Sequence, residues 1–158
     1  MPLTSPSRRG QTRRERRPPP GKGGAVERVE LRIETGTRLV HDLTGPIGAF
    51  LAGRGDGLCN VFVPHATAGL ALIETGAGSE EDLAAAIERL LPRSAPYRHR
   101  HGHPGHGADH LLPALLAPSL TLPVEAGRPL LGTWQSVVLV DPNADNRLRR
   151  VVLSYLGG

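Results

Sequence analysis

SLTLPVEAGRPLLGTWQSVVLVDPNADNRLRRVVLSY, residues 119–155, is the stretch that decides the fold class. Ser119–Val124, Trp134–Val140 and Arg150–Tyr155 are rich in branched aliphatic residues and alternate apolar with polar, the pattern of half-buried strands. Glu125-Ala126-Gly127 and Asp141-Pro142-Asn143 separate them with turn-forming residues.

Working outward, Val29, Leu31 and Ile33 alternate with Glu30, Arg32 and Glu34 as a first strand, and Thr37–His41 reads as a second. Thr44, just before Gly45-Pro46, is a candidate N-cap for a helix running to about Ala52, where glycines end it. Leu58–Val63 and Ala68–Ile73 are strand-like. Ser79 followed by Glu80, Glu81 and Asp82 has the form of a capping box, and Leu83, Ala86, Ile87, Leu90 and Leu91 then mark one face of a helix that Pro92 stops. A loop from Tyr97 to His110 precedes a short helical turn over 111–116. Strands outnumber helices and do not alternate with them regularly. The expected class is α+β, a mostly antiparallel sheet or sandwich with two or three helices.

The chain has 158 residues, enough for one domain with a real core. Aromatics are 3% of it, so the core is expected to be Leu, Val, Ile and Ala. Residues 1–24 carry seven basic residues against one acid, net +6, whereas residues 25–158 carry twelve arginines against fourteen acids, net −2. The first segment, Arg-, Pro- and Gly-rich, is expected to be a disordered tail and residues 25–158 a single domain. The competing reading of the tail is a nucleic-acid or anionic-membrane arm. It has no apolar stretch after its arginines, so it does not read as a secretory signal. No run of 18 apolar residues occurs, and a cytoplasmic protein without a membrane partner is expected. Lys22 is the single lysine, so the domain has no Schiff-base lysine. Cys59 is the single cysteine, which excludes an internal disulfide framework; inside an apolar strand it reads as an inert buried thiol.

Seven histidines stand at 41, 65, 99, 101, 103, 106 and 110, five of them within twelve residues. Neutral imidazole is the commonest protein ligand for transition metals, and three of them leave one position of a tetrahedral zinc open, as catalytic sites do. The alternative is a His-rich loop that binds metal loosely or not at all. His65, after the ladder-breaking Pro64, either faces a cleft or is a satisfied edge residue. Glu74 is a ligand, a base or a strand-end charge; Trp134, between Thr133 and Gln135, lines a pocket or fills the core. Fingerprints for dinucleotide binding, P-loop hydrolysis, zincin proteolysis and the hydrolase nucleophile elbow are missing.

Four segments together resemble the YjbQ (UPF0047) family, often labelled secondary thiamine-phosphate synthase enzymes. They are Val61–Gly69 (VFVPHATAG), Tyr97-Arg98-His99, Asp109-His110-Leu111 and Gly127–Gln135 (GRPLLGTWQ), the last preceded by Pro118–Val124. The resemblance spans roughly Val26–Gly157. It implies an α+β fold, a homotrimer, and a divalent metal, zinc, on His65, His99 and His110, with His101, His103 and His106 as loop extras. Glu74 would act as general base or as a metal-shell residue, and Thr67, Arg128, Thr133, Trp134 and Gln135 would meet a small-molecule substrate. The family label implies joining a pyrimidine diphosphate to a thiazole phosphate. The rival readings are a metal-dependent hydrolase and a non-catalytic trimeric metal-binding protein. Where the family has a lysine two residues after the position of His110, this chain has Leu112.

Overall fold

The computed structural model describes residues 24–99, 101–142 and 144–158. The tail expected over 1–24 lies, Gly24 apart, outside them. Along the chain come β1 (Glu27–Glu34), β2 (Val40–Asp42), α1 (Thr44–Leu51), β3 (Gly57–Phe62), β4 (Gly69–Ile73), α2 (Ser79–Leu90), α3 (His106–Leu115), β5 (Ser119–Glu125), β6 (Arg128–Pro129), β7 (Ser136–Val140) and β8 (Leu148–Gly157). One sheet has the order β1-β8-β3-β5-β6 and the other β2-β7-β4. Every pairing is antiparallel, in accord with the expected class.

β7 explains how the layers stack. Val137 and Leu139 join the main core with Leu43 just before α1, Ile47 and Leu51 of α1, Val61 of β3 and Leu153 of β8. Val138 and Val140, pointing the other way as strand geometry requires, pack with Leu112 of α3 and with Leu83 and Ile87 of α2. The three-stranded sheet is therefore sandwiched between the larger sheet with α1 on one side and the helical pair α2/α3 on the other. Burial on both faces is why Val137-Val138-Leu139-Val140 is an unbroken apolar run.

Local signals came out with shifts. Thr44 is the first residue of α1 rather than its cap: its N–H is held by the Asp42 carboxylate, and its hydroxyl accepts the Val137 N–H. At α2 the Ser79 hydroxyl caps nothing; Gly78 occupies the cap position at φ +93°, and the Glu80 carboxylate reaches back to the Gly76 N–H. β7 begins at Ser136, so Trp134 stands in a turn, 73% exposed, and not in the core. The largest correction is α3. It starts at His106, five residues before the helical turn expected over 111–116, and so carries His106, Asp109 and His110 on helical backbone. HGADH lacks an apolar period, so the sequence showed no helix there. Tertiary contacts make one: Ala108 and Leu112, one turn apart, enter the second core, and Asp109 ion-pairs with Arg93.

Candidate metal centre

Helical spacing puts His106 and His110, four residues apart, on one face of α3, with their Nε2 atoms 2.9 Å apart. The preceding loop folds back over that face. The His99 ring centroid lies 4.4 Å from that of His110 and 4.0 Å from that of His101. One ligand nitrogen from each of His99, His101, His106 and His110 lies within 4.8 Å of every other. His106 is buried, His110 half-buried, and His99 and His101 are exposed. Glycines permit the approach. A Cβ on Gly107 would stand 2.6 Å from Cβ of Tyr97, and one on Gly102, at φ +83°, 2.8 Å from the His106 ring. A cavity of about 400 Å³ beside the rings is lined by Tyr97, His99, His101, His103 and His106.

His106 is oriented from behind. Its Nδ1 stands 3.4 Å from an Asp145 oxygen and 4.0 Å from Asp109, and Asp109 is itself held by Arg93 at 2.5 Å. A proton on Nδ1 facing these carboxylates leaves the Nε2 lone pair directed at the other rings, the arrangement that metal-binding histidines use. His103, His106 and Asp145 form a second close trio, with His103 Nε2 3.6 Å from Asp145. Local desolvation, and then the neighbouring imidazoles, push His99 and His110 below the ordinary histidine pKa. Both rings are therefore neutral and able to donate a lone pair at pH 7. An all-imidazole donor set suits zinc, copper or nickel rather than magnesium or calcium.

His65 lies outside both groups. It follows β3, where its Nε2 accepts the Arg150 N–H of β8 at 2.9 Å and so caps the ladder that Pro64 interrupts. Its Nδ1 faces Arg149 Nη1 at 3.4 Å. The Nε2 lone pair is thus in use within the chain, and the structure gathers His99 and His110 with His101 and His106 rather than with His65. Burial, and then the adjacent Arg149, lower the His65 pKa. Thr67 is buried and accepts from Arg149 Nη2 at 3.2 Å. Arg149 makes a bidentate pair with Asp141, 2.7 and 2.8 Å, and Thr35 donates to the same carboxylate.

The remaining expected residues stand apart from the rings. Glu74 is exposed beyond β4 and belongs to neither ligand group; Arg128 is exposed on β6. Gln135 accepts the Gly132 N–H within its turn, where Thr133 and Trp134 are exposed. None of these five lines the cavity beside the histidines. Reasoning from sequence passed over His101 and His106 as extras and missed Arg93, Asp109 and Asp145. The i, i+4 spacing of His106 and His110 was the signal available, hidden because no helix was expected over it.

Residues 29–158 match the family described as UPF0047 protein YjbQ-like. The chain belongs to this family. A UPF0047 protein of Mycobacterium bovis is 62% identical over 128 residues, covering 81% of this chain and 99% of that protein. One from Archaeoglobus fulgidus is 34% identical over 129 residues, covering 81% of this chain and 100% of its own length. Among solved structures, a YbjQ-like protein of unknown function from Sulfolobus solfataricus superposes with a TM-score of 0.78 at 25% identity, covering 85% of this chain and 99% of that one. A hypothetical protein from Aeropyrum pernix gives 0.76 at 32% identity, with 84% and 99% covered. The YjbQ-like α+β fold is therefore shared across bacteria and archaea. Among the described residues no helix is long and apolar enough to cross a membrane.

Proposed function

We propose that this YjbQ-like protein is a metal-dependent enzyme whose ion, zinc, is held by His106 and His110 of α3 together with one ring of the preceding loop, His99 or His101, which leaves the fourth position open to substrate. The observation that carries this reading is the approach of four imidazole nitrogens to within 4.8 Å, with the far nitrogen of the buried His106 turned to carboxylates. A bound zinc would supply Lewis-acid polarisation of a substrate oxygen. The chain's own residues do the rest. His106 and His110 are the fixed anchors, since both stand on one helix. His99 and His101 are the exposed members, through which the site meets solvent. The cavity beside them receives the substrate, walled by the Tyr97 side chain. His103, facing Asp145 from the same cavity, is placed to hold or release a proton at Nε2.

A small-molecule substrate and a homotrimeric assembly belong to this proposal, as does thiamine-phosphate synthesis as the finer form of the activity. Hydrolysis is the alternative reaction at the same centre. The presence of four rings, rather than three, favours one further reading, a metal-holding protein without turnover, in which protein nitrogens fill every position of a tetrahedral ion.

Zinc titration by calorimetry is expected to show one tight equivalent per chain, abolished by His106→Ala or His110→Ala and kept in His65→Ala. Several weak equivalents indifferent to His106→Ala would overturn the site. X-ray absorption then counts the ligands: three nitrogens with one oxygen supports an open enzymatic centre, four nitrogens the non-catalytic holder. Assays of phosphate-ester hydrolysis and of coupling a pyrimidine diphosphate to a thiazole phosphate separate the two reactions.

A further inference from the structure

A second cavity, about 360 Å³, opens between the β1–β2 connection, α2, α3 and the segment after β7. Its size falls in the range of small-ligand pockets, which begin at roughly 300 Å³. The floor is apolar, made by Leu39, Ile87, Leu91 and Leu112. Its charges do not balance. Asp109 in the wall is neutralised by Arg93, and Asp141 by Arg149 with Thr35. Glu88 accepts the Arg93 backbone N–H. Arg38 and Arg147, both exposed at the mouth, have no side-chain partner among the described residues. Two unpaired guanidinium groups thus stand over a greasy floor with one acid, Glu88, left against them.

We propose that this cavity binds a small amphipathic anion, its apolar body on Ile87, Leu91 and Leu112 and its carboxylate or phosphate head between Arg38 and Arg147. Guanidinium groups pair with both heads in a two-pronged geometry, so the shared chemistry is a planar or tetrahedral oxyanion on a hydrocarbon body. Arg38 comes from the β1–β2 connection and Arg147 from the β7–β8 connection, one residue before β8. Backbone bonds between these segments, Thr35 N–H to Arg147 O at 2.7 Å and Asp141 N–H to Leu39 O at 2.8 Å, hold the mouth together. The inference rests on this cavity alone and does not depend on the histidine centre.

The test titrates the full chain with hexanoate, phenyl phosphate and, as the neutral isostere, hexanol, followed by calorimetry and by amide NMR shifts. Hexanoate or phenyl phosphate is expected to bind, with shifts centred on α2 and residues 36–39, and hexanol is not. Whichever of the two anions binds more tightly identifies the head group. Arg38→Ala and Arg147→Ala are each expected to weaken binding about tenfold, the loss of one charge-assisted contact. Ala84→Phe, which fills the cavity from α2 and leaves both guanidinium groups in the chain, should abolish it, while Arg28→Ala on β1 changes nothing. Hexanol binding as well as hexanoate, indifference to both mouth substitutions, or no binding of either anion overturns the proposal.

Discussion

His65 shows how one side chain can be claimed by the backbone. Its Nε2 takes the Arg150 N–H, a role open to the ring only when that nitrogen carries no proton. Protonation would set a donor against a donor and a second cation beside Arg149. The native ring therefore resists protonation, with its pKa below the ordinary 6.5, first through burial and then through Arg149. The sign for stability follows. Above the ordinary value neither folded nor unfolded chain holds the proton. Below it the unfolded chain takes a proton that the native ring refuses, so stability falls as pH drops from about 7 towards the depressed native value. His99 and His110 shift the same way and add to the slope. His65→Gln, whose amide oxygen can still accept the Arg150 N–H, should flatten the dependence of Tm on pH between 7 and 5. A slope identical to that of the parent protein would refute this account.

At the scale of the element, α3 is a helix whose first turn is made by contacts rather than by propensity. Gly105 at φ +86° lets the chain enter it, and Asp109 in the first turn meets both the helix dipole and Arg93. The turn carries His106 against Asp145, which arrives from the β7–β8 connection. Asp145 is exposed, so Asp145→Ala is expected to leave Tm nearly unchanged. Zinc affinity should nevertheless drop by about tenfold or more, as when the carboxylate behind a metal-binding histidine is removed. Unaltered affinity would mean that Asp145 has no part in orienting His106. α2, by contrast, has the apolar period expected of a helix packed on one side, and its bounds, Ser79–Leu90, lie within a residue of those read from the pattern.

Across the whole molecule, the Arg149–Asp141 pair joins the two sheets. Arg149 belongs to β8 of the larger sheet, and Asp141 follows β7 of the smaller one. Thr35, just past β1, and Thr67, between β3 and β4, complete the cluster. Both charged side chains are almost fully buried, so neither can turn to water if the other is lost. Arg149→Met is expected to destabilise the protein by about 3–5 kcal/mol, because Asp141 is left charged and buried. The double substitution Arg149→Met with Asp141→Leu should recover much of that loss. Urea unfolding of the three proteins measures both numbers; equal stability of the single variant and the parent would show that the pair does not tie the sheets together.

What could be read in the chain was whatever repeats at short range. Alternation in β1, β5 and β8, the apolar run of β7 and the helical period of α2 identified the elements and the α+β class, because burial on one face leaves its mark every two or every three to four residues and burial on both faces leaves a continuous run. The concentration of histidines between His99 and His110 was visible in the same way. Which of them meet was not. His65 reaches its partner 85 residues away in sequence, Asp141 joins Thr35 across 106, and His106 faces the carboxylate of Asp145 from another connection. Trp134, for all its apolar bulk, stands exposed in the turn before β7 rather than in either core. Such pairings have no local period; they exist only once the sheets stack and α3 docks, and that is why tertiary structure, not the order of residues, decided which imidazoles stand together.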